Sequence, residues 1–191
     1  MERDGARAEL LARLALHVPS DGDERTHLDA TRRLVESEPA CFARDAFAPG
    51  HLTASAFIVD RGGRLLLHRH RRLDRWLQMG GHFDDDRDPA IAARREGREE
   101  SGLDDLEPVL AGGAILDVDV HAIPSGRREP AHLHHDVRYL LMTRSPERIA
   151  MADLESTDLA FFSLEDARAR LGDVSAARVI EKIRRALATT S

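Results

Sequence analysis

The sequence predicts an α/β protein: a helical extension over residues 1–50, then one domain over residues 51–191 in which strands and helices alternate. Two observations carry this. Before Gly50 the apolar residues recur at helical spacing, and after it two-residue alternation takes over in the order strand, strand, helix, hairpin, strand, helix. At 191 residues and 42% hydrophobic content, the chain can bury one sizeable core plus an added element, and two ordinary domains would be crowded into it.

Each element has its own signal. Leu10, Leu11, Leu14 and Val18 lie on one helical stripe, and a second helix is expected from about Glu24 to Glu38 with Leu28, Thr31, Leu34 and Val35 inward. Pro19 and Gly22 separate the two, Pro39 ends the second, and Pro49-Gly50 closes the segment. This pair could cover one edge of the core, form a homodimer contact or restrict access to a site; covering the core is the expected role. His51 to Asp60 alternates, Arg61-Gly62-Gly63 makes a turn, and Arg64 to His70 returns antiparallel. Trp76 to Met79 reads as a short strand. Asp88 and Pro89 form an N-cap and first-turn pair, and Gly102 supplies the stop, so a helix runs from Pro89 to Ser101. Ala114 to Ile123 and Ala131 to Thr143 read as a hairpin and Leu159 to Leu164 as a last strand. Glu165 to Leu171 and Ser175 to Ala188 read as closing helices, the latter with Val179, Ile180, Ile183 and Leu187 inward.

Charge narrows the function classes. A net charge of −6 and an isoelectric point near 5.9 give no electrostatic case for a nucleic acid polymer or an anionic membrane. A phosphate-bearing small molecule would have to be met by a local positive site or by metal ions. The single Cys41 fits a reducing cytosol, as a buried thiol rather than a nucleophile. The early apolar run Leu10 to Val18 contains Arg13 and His17 and lacks a small-residue cleavage pattern, so neither a signal peptide nor a membrane span is read, and a cytoplasmic location is expected.

The helix from Pro89 carries the chemistry. Glu96, Glu99 and Glu100 stand at i, i+3 and i+4 and share a face. Like charges this close repel, and a hard divalent cation with oxygen ligands is the natural partner. Upstream, Gly80-Gly81 lets backbone approach closely and could offer a carbonyl to the same ion. A solvated acidic face paired with arginines is the bland alternative. It leaves the glycines and the Trp76-Leu77-Gln78 lead-in unexplained.

The run resembles the Nudix box, G-x5-E-x7-R-E-U-x-E-E-x-G-U with U apolar. Gly81 matches the opening glycine, Arg95-Glu96 the R-E pair, Glu99-Glu100 the E-E pair, and Gly102-Leu103 the close. The resemblance covers roughly Leu52 to Leu171 and implies a Nudix-type α/β/α sandwich with a mixed sheet. It also implies Mg²⁺- or Mn²⁺-dependent hydrolysis of a diphosphate linked to another moiety. Glu96, Glu99, Glu100 and the Gly80 carbonyl would hold the metal, Arg95 would brace the glutamates, and Arg95, Glu99 and Glu100 form the catalytic set. The local phosphate-binding pool is Arg69, Arg71, Arg72 and Arg138. Glu155 lies where several family members carry an extra acidic group, and Glu100, Glu155 and His134 are all open as the base. Two positions depart from the pattern. Arg87 replaces the first glutamate, which in the family orients the arginine, so Arg95 must find another acidic partner or sit differently. Gly97 replaces an apolar residue and implies close helix packing.

The hairpin adds a face rich in histidine and aspartate. If its strands pair across a loop from Ala122 to Pro130, His121 falls near His132 and Asp119 near His134. Such a His121/His132/His134/Asp136 face could take a second, transition metal. The plainer expectation is a partly exposed polar surface on which histidines bond aspartates and substrate phosphates. His68 and His70 are expected to be ordinary exposed residues. On substrate, a nucleoside diphosphate sugar such as ADP-ribose leads and a nucleoside triphosphate follows. The alternative from another class is a Nudix-fold ligand sensor with reduced turnover, which Arg87 favours and the intact glutamates oppose.

Overall fold

The computed structural model describes residues 2–126, 129–151, 156–172 and 174–190. In chain order the elements are α1 (Glu2–Leu16), α2 (Gly22–Ser37), β1 (His51–Asp60), β2 (Leu65–His70), β3 (Arg75–Leu77), β4 (Met79–Gly81), α3 (Pro89–Ser101), β5 (Glu107–Pro108), β6 (Asp117–Ile123), β7 (His132–Thr143), β8 (Ser156–Phe162), α4 (Leu164–Leu171) and α5 (Val174–Thr190). Among the described residues they form an eight-stranded mixed sheet with the central order β3-β2-β1-β7-β5, while β4 pairs with β1, β6 with β7 and β8 with β2. β1 and β7 run parallel, from His51 opposite His134 to Asp60 opposite Thr143.

Helices cover both faces, so β1 is buried along its whole length, as a central strand of a sandwich is. On one face, Ala54, Ala56 and Ile58 of β1 and Val137, Tyr139 and Leu141 of β7 pack against α1, α2 and α3 through Leu10, Leu14, Leu28, Val35, Ala92 and Ala93. On the other, Phe57, Val59, Leu65, Leu67 and Leu140 meet Ala167 and Leu171 of α4 and Val179, Ile180 and Ile183 of α5. The sandwich implied by the resemblance is therefore present, and α1 and α2 cover the core. The inward set expected for α2, Leu28, Thr31, Leu34 and Val35, is buried. Arg13 of α1 grips both carboxylate oxygens of Asp88, the N-cap of α3, at 2.8 and 2.7 Å. Among the described residues no helix is long and apolar enough to cross a membrane.

At Gly97, α3 packs directly against β1. A Cβ there would lie 3.0 Å from Leu106 Cδ1, 3.3 Å from Ile58 Cδ1 and 3.4 Å from Ala56 Cβ, so the departure from the apolar pattern is what lets helix and strand meet.

Three expectations change. The segment expected as one strand from Trp76 to Met79 is two, because the chain changes partner at Gln78: β3 pairs with β2, and β4 places Met79, Gly80 and Gly81 opposite Ala56, Ser55 and Ala54 of β1. The hairpin register also differs, with His121 opposite His134 and Asp119 opposite Asp136. Finally, the polar face is buried at its aspartate and arginine end, while His121, bonded to Asp119 at 3.2 Å, stays exposed as expected. Asp117, Asp119, Asp136 and Arg138 are all buried, because Arg178 and Lys182 of α5 and Glu24 of α2 close over the β6 edge. Each carboxylate of the network has a cationic partner there, as buried ions need.

Candidate active site

The site begins at the β4 glycines. The Gly80 amide donates to Glu100 Oε2 at 2.8 Å. A Cβ on Gly81 would stand 2.7 Å from the Glu96 carboxylate, so glycine is what admits Glu96 to the loop. Glu96 and Glu100 thus flank the Gly80-Gly81 backbone from the same helix, while Glu99, with 58% of its side chain exposed, reaches toward solvent.

Arg95 binds these parts together. Nη1 donates to Glu96 at 2.9 Å and to Glu99 at 3.0 Å, Nη2 to the His82 carbonyl at 2.8 Å, and Nε to Asp86 at 2.9 Å. Asp86 is therefore the acidic partner that Arg95 needs where Arg87 stands in place of a glutamate. Arg87 turns away, donating to the Asp84 and Asp86 carbonyls and lying 5.8 Å over the Phe42 ring. Burial pushes the Glu96 carboxyl above its ordinary value, and Arg95 offsets only part of that. Around this one guanidinium stand Asp84, Asp86, Glu96 and Glu99, with Glu100 just beyond. The surplus of carboxylate oxygen suits hard divalent cations.

His68 belongs to this neighbourhood and is not an exposed residue. It is 3% exposed, with Nδ1 at 2.7 Å from Ser156 Oγ and 4.0 Å from Glu100 Oε1. Pairing of β8 with β2 covers it, and nothing local in the sequence announces that pairing.

Other candidates disperse. Arg138, expected to contact phosphate, is 4% exposed, and each of its guanidinium nitrogens is committed: Nε to Asp136, Nη1 to Asp117 and Ser175, Nη2 to Asp119. It holds the fold together and does not reach the groove. Arg69 stays accessible at the end of β2, paired with Asp74 at 2.7 Å. Glu155 lies outside the described residues. His134 faces other histidines rather than open groove, and Asp136, expected beside it as a metal ligand, is taken by Thr53, Ser55 and Arg138. Beside the acidic loop lies a cleft of about 730 Å³ lined by Phe42, Arg44, Phe47, Asp84, Arg87 and Glu129.

Comparison with known proteins decides the family. The model of the NUDIX domain matches residues 49–183. The chain belongs to the Nudix family. As a Nudix hydrolase it acts on phosphoanhydride bonds. Its fold is similar to the Ap4A hydrolase of C. elegans in a binary complex (TM-score 0.58, 19% identity, covering 72% of this chain and 98% of that one). A Nudix-family hydrolase from Clostridium perfringens is similar at TM-score 0.52 and 28% identity, covering 71% and 97% of the two chains. The Nudix domain of Shewanella oneidensis NrtR, complexed with ADP ribose, matches at TM-score 0.50 and 16% identity, covering 78% and 95%. No curated protein matches the sequence.

Proposed function

We propose that this Nudix hydrolase uses Mg²⁺ or Mn²⁺ to cleave a diphosphate linked to another moiety, with a nucleoside diphosphate sugar of the ADP-ribose kind as leading substrate and a nucleoside triphosphate second. The observation that carries this reading is the donor set: Glu96 and Glu100 flanking the Gly80-Gly81 backbone, Glu99 one turn away, and a single arginine among them. Bound there, divalent cations would neutralise adjoining phosphates and stabilise the charge that develops as the P–O bond breaks. Arg95 fixes the spacing of Glu96 and Glu99 and anchors the loop through the His82 carbonyl. Glu99 and Glu100 are the carboxylates we place next to the attacking water, one of them to take its proton. Arg69 supplies positive charge for the substrate's phosphates. The cleft lined by Phe42, Phe47 and Arg44 offers aromatic faces for the attached moiety.

A ligand sensor with reduced turnover is the second reading, and Arg87 favours it. The Asp86–Arg95 contact counts against it, since the brace that the missing glutamate would supply is rebuilt from the neighbouring residue. The deciding experiment measures hydrolysis of nucleoside triphosphates, nucleoside diphosphate sugars and dinucleotides with Mg²⁺ or Mn²⁺, beside Glu100→Gln. We expect metal-dependent cleavage of one class that falls by roughly 100-fold or more in the variant. A folded, metal-loaded protein that binds these compounds without turning them over would give the site to the sensor reading.

A further inference from the structure

We infer that His51, His82 and His134 form a second metal site, for a transition-metal ion of the Zn²⁺ class, beside the carboxylates of the Nudix box. It is independent of the substrate reading above.

The three side chains come from three elements. His51 opens β1, His134 is its register partner in parallel β7, and His82 directly follows β4. Each offers one ring nitrogen, and the three nitrogens lie within 4.8 Å of one another. The ring centroids are 4.8 Å apart for His51 and His134, 5.1 Å for His51 and His82, and 5.4 Å for His82 and His134. Gly50 makes the approach practicable: with φ at +137°, a Cβ there would collide with the Leu133 carbonyl.

A second, independent observation points to a ligand. His51 is fully buried; its Nδ1 faces the Ala46 carbonyl at 3.3 Å, while its Nε2 has no hydrogen-bond partner. A buried polar atom left unpartnered calls for an explanation. A histidine whose one nitrogen is held by a backbone carbonyl, so that the other presents its lone pair, is the arrangement by which proteins orient metal ligands. The same device appears one strand over. His132 Nδ1 lies 2.8 Å from the Pro130 carbonyl, and its Nε2 faces His134 Nε2 at 3.2 Å. With the His132 proton on Nδ1, Nε2 accepts from His134, which leaves the lone pair of His134 on Nδ1.

The ligand types select the ion. Imidazoles suit zinc, copper, iron and nickel, whereas carboxylate oxygens suit magnesium and manganese. Three protein nitrogens with a fourth position left for water or another ligand are the form of an open zinc site. The two sites are joined through the backbone, since the His82 carbonyl is the one that Arg95 Nη2 holds at 2.8 Å.

The test uses the full chain, stripped with a chelator and titrated with ZnCl₂ in excess Mg²⁺, with bound zinc read by calorimetry and elemental analysis. One equivalent of zinc should bind and resist Mg²⁺. His82→Ala and His134→Ala should weaken it by more than about 100-fold, beyond the roughly 10- to 100-fold that loss of a supporting partner costs, and Glu99→Gln/Glu100→Gln should retain it. Co²⁺ in place of zinc should give the visible absorption of a tetrahedral nitrogen site. If His134→Ala does not fold, His82→Ala, changed in a loop, carries the comparison. No zinc uptake, or zinc lost with the two glutamates and kept without the histidines, would overturn the proposal and leave a packed cluster of neutral imidazoles.

Discussion

Arg95 Nε donates to Asp86 Oδ2 at 2.9 Å, so the arginine of the Nudix box takes its support from the residue before the position where the family carries a glutamate. The acidic group has moved by one residue, and Arg87, freed from that place, caps loop carbonyls instead.

Asp86→Asn should therefore lower kcat/KM by roughly 10- to 100-fold, the usual cost of losing an orienting partner, with little change in stability. The double variant Asp86→Asn/Arg87→Glu should recover a substantial part of the loss by restoring the family arrangement. Steady-state kinetics on whichever of the proposed substrate classes is cleaved reads both, and additive losses in the double variant would show that Arg95 does not use position 87.

Arg138 and Arg69 should separate cleanly. Arg138→Ala leaves Asp117, Asp119 and Asp136 without their shared buried cation and should cost about 3–5 kcal/mol of stability, seen in urea unfolding. Arg69→Ala should leave unfolding unchanged and raise KM about tenfold, the effect of one charge-assisted contact. A raised KM in an otherwise stable Arg138→Ala protein would return that arginine to the substrate.

Acid should weaken the lid over the β6 edge. Burial alone would raise the Glu24 carboxyl, but hydrogen bonds from His17 and Lys182 outweigh it and hold the group well below its ordinary value. A depressed folded-state pKa means the contribution is fully present above the unfolded value of about 4.3 and is lost as pH falls below it. Glu24→Gln should be destabilised by about 3 kcal/mol at pH 7, and its difference from the parent should shrink toward pH 3 in denaturant titrations. A difference that stays constant with pH would remove Glu24 from the acid response.

Gly97→Ala tests the helix–sheet approach. In an exposed helix the change gains about 1 kcal/mol. Here the new methyl meets Leu106, Ile58 and Ala56, and overpacking costs typically 1–3 kcal/mol, so a net loss of about 1 kcal/mol is expected in chemical denaturation. A gain would mean the neighbours yield freely.

Whatever depends on spacing along the chain can be read from the residues alone. The carboxylates at Glu96, Glu99 and Glu100, the caps at Asp88 and Gly102, and the apolar stripes of α2 and α5 follow from local periodicity and turn chemistry, and the structure keeps them. Even the need of Arg95 for a new acidic partner was legible, although which residue answers it was not. What depends on strands meeting from distant parts of the chain is set by their packing in three dimensions. The parallel pairing of β1 with β7 sets His51 beside His134, and the pairing of β8 with β2 buries His68 near Glu100. Closure of α2 and α5 over β6 turns one end of a partly exposed polar strand face into a buried ion network and takes Arg138 away from the substrate. Alternation records only that a strand has two faces, and which face meets solvent is fixed by the elements that pack against it.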